Sequence, residues 1–292
     1  TLRKIISKII NFIQFYLFYS ELKVNFFLFL KNFGLFNSDK FNKPIFLYDL
    51  RDSPLTFDFG DALLLANIWL NKLGFDKCQC VIYANKKDFA LMTYKSYNSH
   101  FTKDEYWRRV DNIIKPLANS ANFVTDIKIV NNKKILKKIL KESFVVYPPH
   151  YFFSQKYNLT LTGVPLDRVS RFIRKKQDIF SYVSFLEPNL NAIESVKNTL
   201  KITNEEKIVT FTVRDYKFDA IRNTNYKFVI NLYNFFKKKG YRFVVIPDHK
   251  NPRPDLGLDI YPDATIDTEK RIAIYNIAKI NIGTAGGPLW LA

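Results

Sequence analysis

From residue 44 onward, short apolar runs alternate with stretches of helical apolar spacing. That alternation constrains the fold more than any other feature, because strands separated by helices pair in parallel. Ile45-Phe46-Leu47-Tyr48 predicts a buried strand. Ala62, Leu65, Ala66, Trp69 and Leu73 recur at helical intervals between Gly60 and Gly74, which predicts a helix over 61–73. Strands follow at 80–84, 123–130 and 144–147, with helices at 104–118 and 133–141 between them. Pro148-Pro149 closes this half. Residues 150–186 are less regular and carry a basic cluster, Arg168, Arg171, Arg174, Lys175 and Lys176.

The alternation then restarts. The pattern predicts a helix over 191–200, a strand over 208–213, a helix over 226–239 stopped by Gly240, and a strand over 243–246. A helix over 268–278 and a strand over 280–283 complete it. The expected fold class is α/β, with two Rossmann-like domains facing across a cleft. The expected boundaries are 1–43 for an N-terminal helical segment, 44–186 for the first domain and its crossover, and 187–292 for the second. The sequence stops at Gly286-Gly287-Pro288-Leu289-Trp290-Leu291-Ala292, where a helix should begin, so the second domain is expected to be incomplete.

Composition narrows the functional classes. An apolar fraction of 47% excludes a disordered chain. With 45 Lys+Arg against 27 Asp+Glu, the formal charge is +18, which attracts anions in general: nucleotide phosphates, anionic lipids, acidic glycans. A dedicated nucleic-acid binder would concentrate its cations on one element with aromatics placed to stack on bases. Here the lysines are spread over every predicted helix, so nucleic acid is not an expected partner. Cys78 and Cys80 are too few for a disulfide framework or a zinc site and read as reduced thiols on a strand. His100, His150 and His249 have no metal-ligand spacing, and no metal is expected.

Residues 1–36 combine Arg3, Lys4 and Lys8 with many bulky apolar side chains. The longest uncharged stretch, 9–20, is too short to span a bilayer. The segment reads either as a helix lying in a membrane interface or as a hairpin packed on the domain behind it. The expected location is cytoplasmic, with peripheral contact to the inner face of the membrane through this segment.

Ligands of open α/β sheets bind beyond the carboxyl ends of the strands, so the strand-to-helix junctions carry the candidate sites. Asp58 and Asp61 sit near the start of the first helix. There the dipole favours an ionised carboxylate able to accept a hydroxyl proton, and the alternative role is a helix cap. Arg214, with Arg222-Asn223 ahead of the helix at Tyr226, suits a phosphate clamp, or else surface salt bridging. Gly283-Thr284-Ala285-Gly286-Gly287-Pro288 places three of the chain's nine glycines within five positions. Such a run lets backbone N–H groups approach a phosphate or sugar, or simply turns tightly into a helix. His249 follows the strand at 243–246 and reads as a nucleotide or sugar contact or as an exposed loop residue.

These residues together resemble the GT-B glycosyltransferases. Gly60-Asp61-Ala62-Leu63-Leu64 is similar to the acceptor-side loop of heptosyltransferase-like members, which implies a catalytic base at Asp61, with Asp58 second. Arg214 and Arg222-Asn223 resemble donor-diphosphate contacts, and the 283–288 run resembles the donor loop of surface-polysaccharide transferases. The resemblance spans roughly residues 44–292, and no diagnostic signature is complete. It implies a metal-independent enzyme with no cofactor, whose partners are a nucleotide-sugar donor and a glycan or lipid-linked acceptor. Two alternatives remain at this stage: a nucleotide-sugar epimerase or related transferase on the same scaffold, and a non-catalytic nucleotide- or glycan-binding protein.

Overall fold

The computed structural model describes residues 43–50, 53–84, 102–143, 145–147, 185–215, 221, 223–247, 257–284 and 287–292. The N-terminal segment, the basic cluster of 168–176, Arg222, His249 and Gly286 lie outside the described residues. The fold is α/β with two four-stranded parallel sheets. The chain divides into two compact units. One comprises residues 1–54, 62–103 and 122–185, the other 55–61, 104–121 and 186–292. The linear reading places 55–61 and 104–121 in the first half, but they cluster with the second.

In the first unit, β1 (Ile45–Asp49), β2 (Cys78–Tyr83), β3 (Val124–Val130) and β4 (Val146–Tyr147) lie in the order β3-β2-β1-β4. All five residues of β1 are buried, as a strand with neighbours on both sides and both faces covered requires. Helix α1 (Phe59–Lys72) begins two residues before the predicted start. Helix α4 (Lys133–Lys141) is KKILKKILK, and its Leu136 and Leu140, four apart, drop into a core with Ile45, Leu47, Val81, Tyr83 and Val146. Its five lysines take the opposite face, and Asn132 caps it by accepting from the Lys134 N–H at 2.8 Å. Cys78 and Cys80 are buried and unbonded, and burial raises both thiols, Cys78 to about 12.

The second unit repeats the strand order. Its strands β5 (Lys207–Thr212), β6 (Tyr241–Ile246), β7 (Asp259–Ile260) and β8 (Ile280–Gly283) lie as β7-β6-β5-β8. Alternate residues of β5 feed two cores. Ile208 joins Val196 of α5 (Leu190–Leu200) and Ala273 and Ile274 of α8 (Thr268–Ile277). Val209 and Phe211 join Val229 of α6 (Tyr226–Lys238) with Phe243 and Val245. The short strand β7 and helix α7 (Asp263–Ile266) were not foreseen, because a two-residue strand has no periodicity to read.

The helix expected over 104–118 is interrupted. It consists of α2 (Lys103–Arg109), a π-helical turn (Val110–Ile114) and α3 (Lys115–Ser120). Pro116 in the first turn of α3 has no N–H to give to the carbonyl four residues back, that of Asn112. That carbonyl accepts a short hydrogen bond from the Thr268 hydroxyl at the start of α8.

Gly283 shows why the Gly-rich run begins where it does. A Cβ there would stand 2.9 Å from the Thr212 carbonyl oxygen, 3.0 Å from Thr212 Cβ and 3.2 Å from Leu289 Cδ1. The bare position lets β8 close on β5, so it serves sheet packing as well as any ligand. Gly283→Ala should destabilise the protein by about 1–3 kcal/mol, an overpacking cost, read as a lowered urea midpoint with an unchanged slope. An unchanged midpoint would show that the gap is larger than described.

Candidate functional site

In the strand order β7-β6-β5-β8, the chain leaves β5 to one side and reaches β8 on the other. The crevice at their carboxyl ends is the topological switch point where ligands of such sheets bind. β5 runs out at Thr212 and β8 at Gly283, which pair in register. Thr284 follows, its N–H donating to the Thr212 carbonyl at 3.3 Å. Half-buried Arg214 lies two residues past β5. Its N–H donates to Thr224 Oγ1 at 2.8 Å, while the Thr224 N–H donates back to the Arg214 carbonyl at 2.8 Å. Thr224 Oγ1 and Thr284 Oγ1 share a hydrogen bond of 2.5 Å.

One buried threonine therefore joins the ends of β5 and β8. It precedes Asn225, whose side chain caps α6 by accepting from the Lys227 N–H at 3.0 Å. The arrangement gathers a guanidinium-bearing residue, two hydroxyls and a helix N-terminus at the switch point, a donor-rich set suited to an anion. Of the residues predicted there, Arg214, Asn223, Gly283 and Thr284 fall on these elements, and Gly287 opens a 3₁₀ turn (Gly287–Leu291) just beyond. Arg222, Gly286 and His249 lie outside the described residues. Thr224 was missed, because a single threonine ahead of a cap carries no signal of its own.

Asp58 and Asp61 lie in the segment 55–61, which belongs to the same unit. Leu55 and Phe59 anchor it, both fully buried. Three successive N–H groups, of Phe59, Gly60 and Asp61, donate to the carbonyls of Thr56, Phe57 and Asp58 at 2.9–3.1 Å, so a tight turn runs into α1. The Asp58 carboxylate accepts from the Thr56 hydroxyl at 2.8 Å. Asp61 is 9% exposed, and its Oδ2 is buried with no hydrogen-bond partner among the described residues.

Burial, and after it the charge of Asp58, pushes the Asp61 carboxyl up to about 7. This departs from the sequence expectation, in which the helix dipole keeps the carboxylate ionised. A dipole is worth about 0.3–1 kcal/mol at an exposed terminus. A three-unit shift is on the order of 4 kcal/mol the other way, so desolvation wins.

The segment is held by a residue that the sequence did not disclose. Arg271, in α8, is 1% exposed, the largest fully buried side chain among the described residues. Its Nε donates to the Ala264 carbonyl at 2.6 Å, with longer contacts of 3.5 Å to the Pro247 carbonyl and the Tyr275 hydroxyl. No carboxylate among the described residues pairs with it. The guanidinium carbon lies 5.5 Å from the centre of the Phe57 ring, within cation–π range. The Tyr275 hydroxyl in turn hydrogen-bonds Thr212 Oγ1 at 2.7 Å. A buried polar chain thus runs from the end of β5, through Tyr275 and Arg271, to the aspartate-bearing segment. On that segment's other side, the nearest atom to a Cβ placed on Gly60 would be Leu291 Cδ2 at 3.5 Å.

The first sheet has its own switch point, between β1 and β4. Buried Asp49 ends β1, and the Tyr48 hydroxyl donates to the Pro54 carbonyl at 2.6 Å. Among the described residues, no three His, Cys, Asp or Glu side chains come together as metal ligands, and no helix is long and apolar enough to cross a membrane.

No protein-family model matches the chain, and no curated protein matches it. Among solved structures it is similar to the glycosyl transferase family 9 from Veillonella parvula DSM 2008. There the identity is 10%, 87% of this chain and 78% of that chain are covered, and the TM-score is 0.48. It is also similar to E. coli ADP-heptose lps heptosyltransferase II, with 10% identity, 84% of this chain and 80% of that chain covered and a TM-score of 0.46. What this site does is read from its own residues.

The Asp61 proton has a thermodynamic consequence. The native carboxyl keeps its proton up to about pH 7, whereas the ordinary value is 3.8. Between those values the native state binds the extra proton, so stability falls as pH rises through the window. Asp61→Asn should therefore stabilise the protein at pH 8, by a few kcal/mol at most and on the order of 4 if the whole shift is realised. The gain should vanish near pH 4. Urea unfolding of both proteins from pH 4 to pH 8 measures it, and a pH-independent difference would contradict the assignment.

Proposed function

We propose that the chain is a glycosyltransferase of the GT-B type, moving a sugar from a nucleotide-sugar donor to a glycan or lipid-linked acceptor in cell-surface polysaccharide synthesis. The observation that carries this reading is the buried, unpartnered oxygen of Asp61, in the same compact unit as the donor-rich end of β5 and β8. A base and an anion site are the two things that displacement at a sugar–diphosphate bond requires.

In this reading Asp61 accepts the proton of the acceptor hydroxyl as its oxygen bonds to the anomeric carbon of the sugar. The bond from that carbon to the diphosphate breaks, and negative charge grows on the departing phosphate. Arg214, the Thr284 hydroxyl and N–H groups of the 283–287 run would meet that charge as donors in this reading, in place of a metal. A carboxylate with a pKa near 7 suits the base role, since a general base works best when its pKa lies near the working pH. The enzyme would work in the cytoplasm, with residues 1–36 against the inner face of the membrane bringing it to a lipid-linked acceptor.

Release of nucleoside diphosphate from a panel of nucleotide sugars, with and without a glycan-lipid extract, tests the reading. Asp61→Asn should lower turnover by about 10²–10⁴-fold. Arg214→Ala should lower it by about 10²–10³-fold. Wild-type kcat/KM should climb about tenfold per pH unit below pH 7 and level off above it, because only the ionised carboxylate accepts the proton. Equal turnover by wild type and Asp61→Asn would refute the assignment of the base.

A further inference from the structure

We infer that Arg271 is a positioning residue for the base: its buried guanidinium, roofed by Phe57, fixes the aspartate-bearing segment 55–61 to the carboxyl end of the second sheet. The inference rests on the functional reading above for its consequence, but its geometry stands independently. A fully buried cation that no carboxylate among the described residues neutralises is costly to keep. Where such a group is kept, its surroundings must supply compensation. Here that comes from the carbonyls of Ala264 and Pro247, the Tyr275 hydroxyl and the π face of Phe57.

Each partner reports a different part of the unit. Ala264 belongs to α7, Pro247 directly follows β6, and Tyr275 hydrogen-bonds Thr212 at the end of β5. Phe57 is the only one of these four on the segment with Asp58 and Asp61. The guanidinium therefore ties that segment to three elements that converge where β5 and β6 end. Phe57 is one residue from Asp58 and four from Asp61, so loss of its seat would free the turn that buries Asp61. Among the described residues, the charge that acts on the Asp61 carboxyl is that of Asp58, on the same segment. Arg271 therefore acts on the base through position and burial, not by direct pairing.

The experiment reads the Asp61 proton without relying on turnover. Unfolding free energies of the full chain, with and without Asp61→Asn, are measured against pH in four backgrounds: wild type, Phe57→Trp, Phe57→Leu and Arg271→Met. The native Asp61 carboxyl is read from the alkaline break of each pH-dependent difference, the pH above which the difference stops changing. Wild type and Phe57→Trp, which keeps a π face over the cation, should share a break near pH 7. Phe57→Leu, which keeps apolar bulk but loses the π face, and Arg271→Met, which keeps the stem but loses the charge, should move it down by about one pH unit or more, a tenfold change in proton affinity. Phe57 is only partly buried, so the Phe57 variants decide the matter even if Arg271→Met does not fold. An unmoved break in folded Phe57→Leu would overturn the inference, as would a wild-type difference with no pH dependence above pH 4. If wild type turns over no nucleotide sugar, the functional reading fails while the pH breaks still test Arg271.

Discussion

Parallel pairing of β5 to β6 on one side and to β8 on the other is the constraint on which the second unit depends. Each residue from Val209 to Thr212 has a partner on both neighbours. The strand is therefore buried on both faces beyond its first residue, and its carboxyl end opens where the chain's path reverses direction across the sheet. Everything of chemical interest is attached to that end. Thr284 donates to Thr212, Arg214 is locked to Thr224, Thr224 to Thr284, and Tyr275 to Thr212. Gly283 is bare because the pairing brings the Thr212 backbone to within 2.9 Å of where a Cβ would sit.

Burial sets the character of the two ionisable groups that matter most. Asp61 begins a helix, where the dipole alone would favour the anion, yet its environment raises it to about 7. Arg271 keeps its place with carbonyls, a hydroxyl and a ring around it. The same unit therefore holds a carboxyl reluctant to ionise and a cation without an ionic partner among the described residues. Both lower stability relative to an apolar core, and a protein retains such groups when they position or perform chemistry.

Much of the framework was legible in the sequence. The largely apolar runs at 45–48, 208–213 and 280–283 fall on β1, β5 and β8 to within a residue or so, because parallel strands covered by helices carry mostly apolar side chains. Asp58, Asp61, Arg214 and Thr284 were picked out as candidates because they lie at strand-to-helix junctions, and the structure sets Arg214 and Thr284 about the same threonine. Other features were not legible, for physical reasons. Arg271 sits among Glu269, Lys270 and other polar residues and looks like one more surface cation; only tertiary packing buries it. The π turn at 110–114 precedes Pro116 and meets Thr268, a partner more than 150 residues away, and apolar spacing alone does not show it. The segment 55–61 groups with the second unit, where Phe57 meets Arg271 across more than 200 residues of sequence.

The end of β5 and β8 is proposed to grip a diphosphate beside the segment that carries the proposed base. A crystal structure grown with a nucleoside diphosphate, using UDP and ADP in turn, addresses it most directly. Phosphate oxygens are expected within hydrogen-bonding distance of Arg214 and of Thr284 or the N–H groups that follow it. Clear density for the nucleotide elsewhere, with that end of the sheet empty, would contradict it.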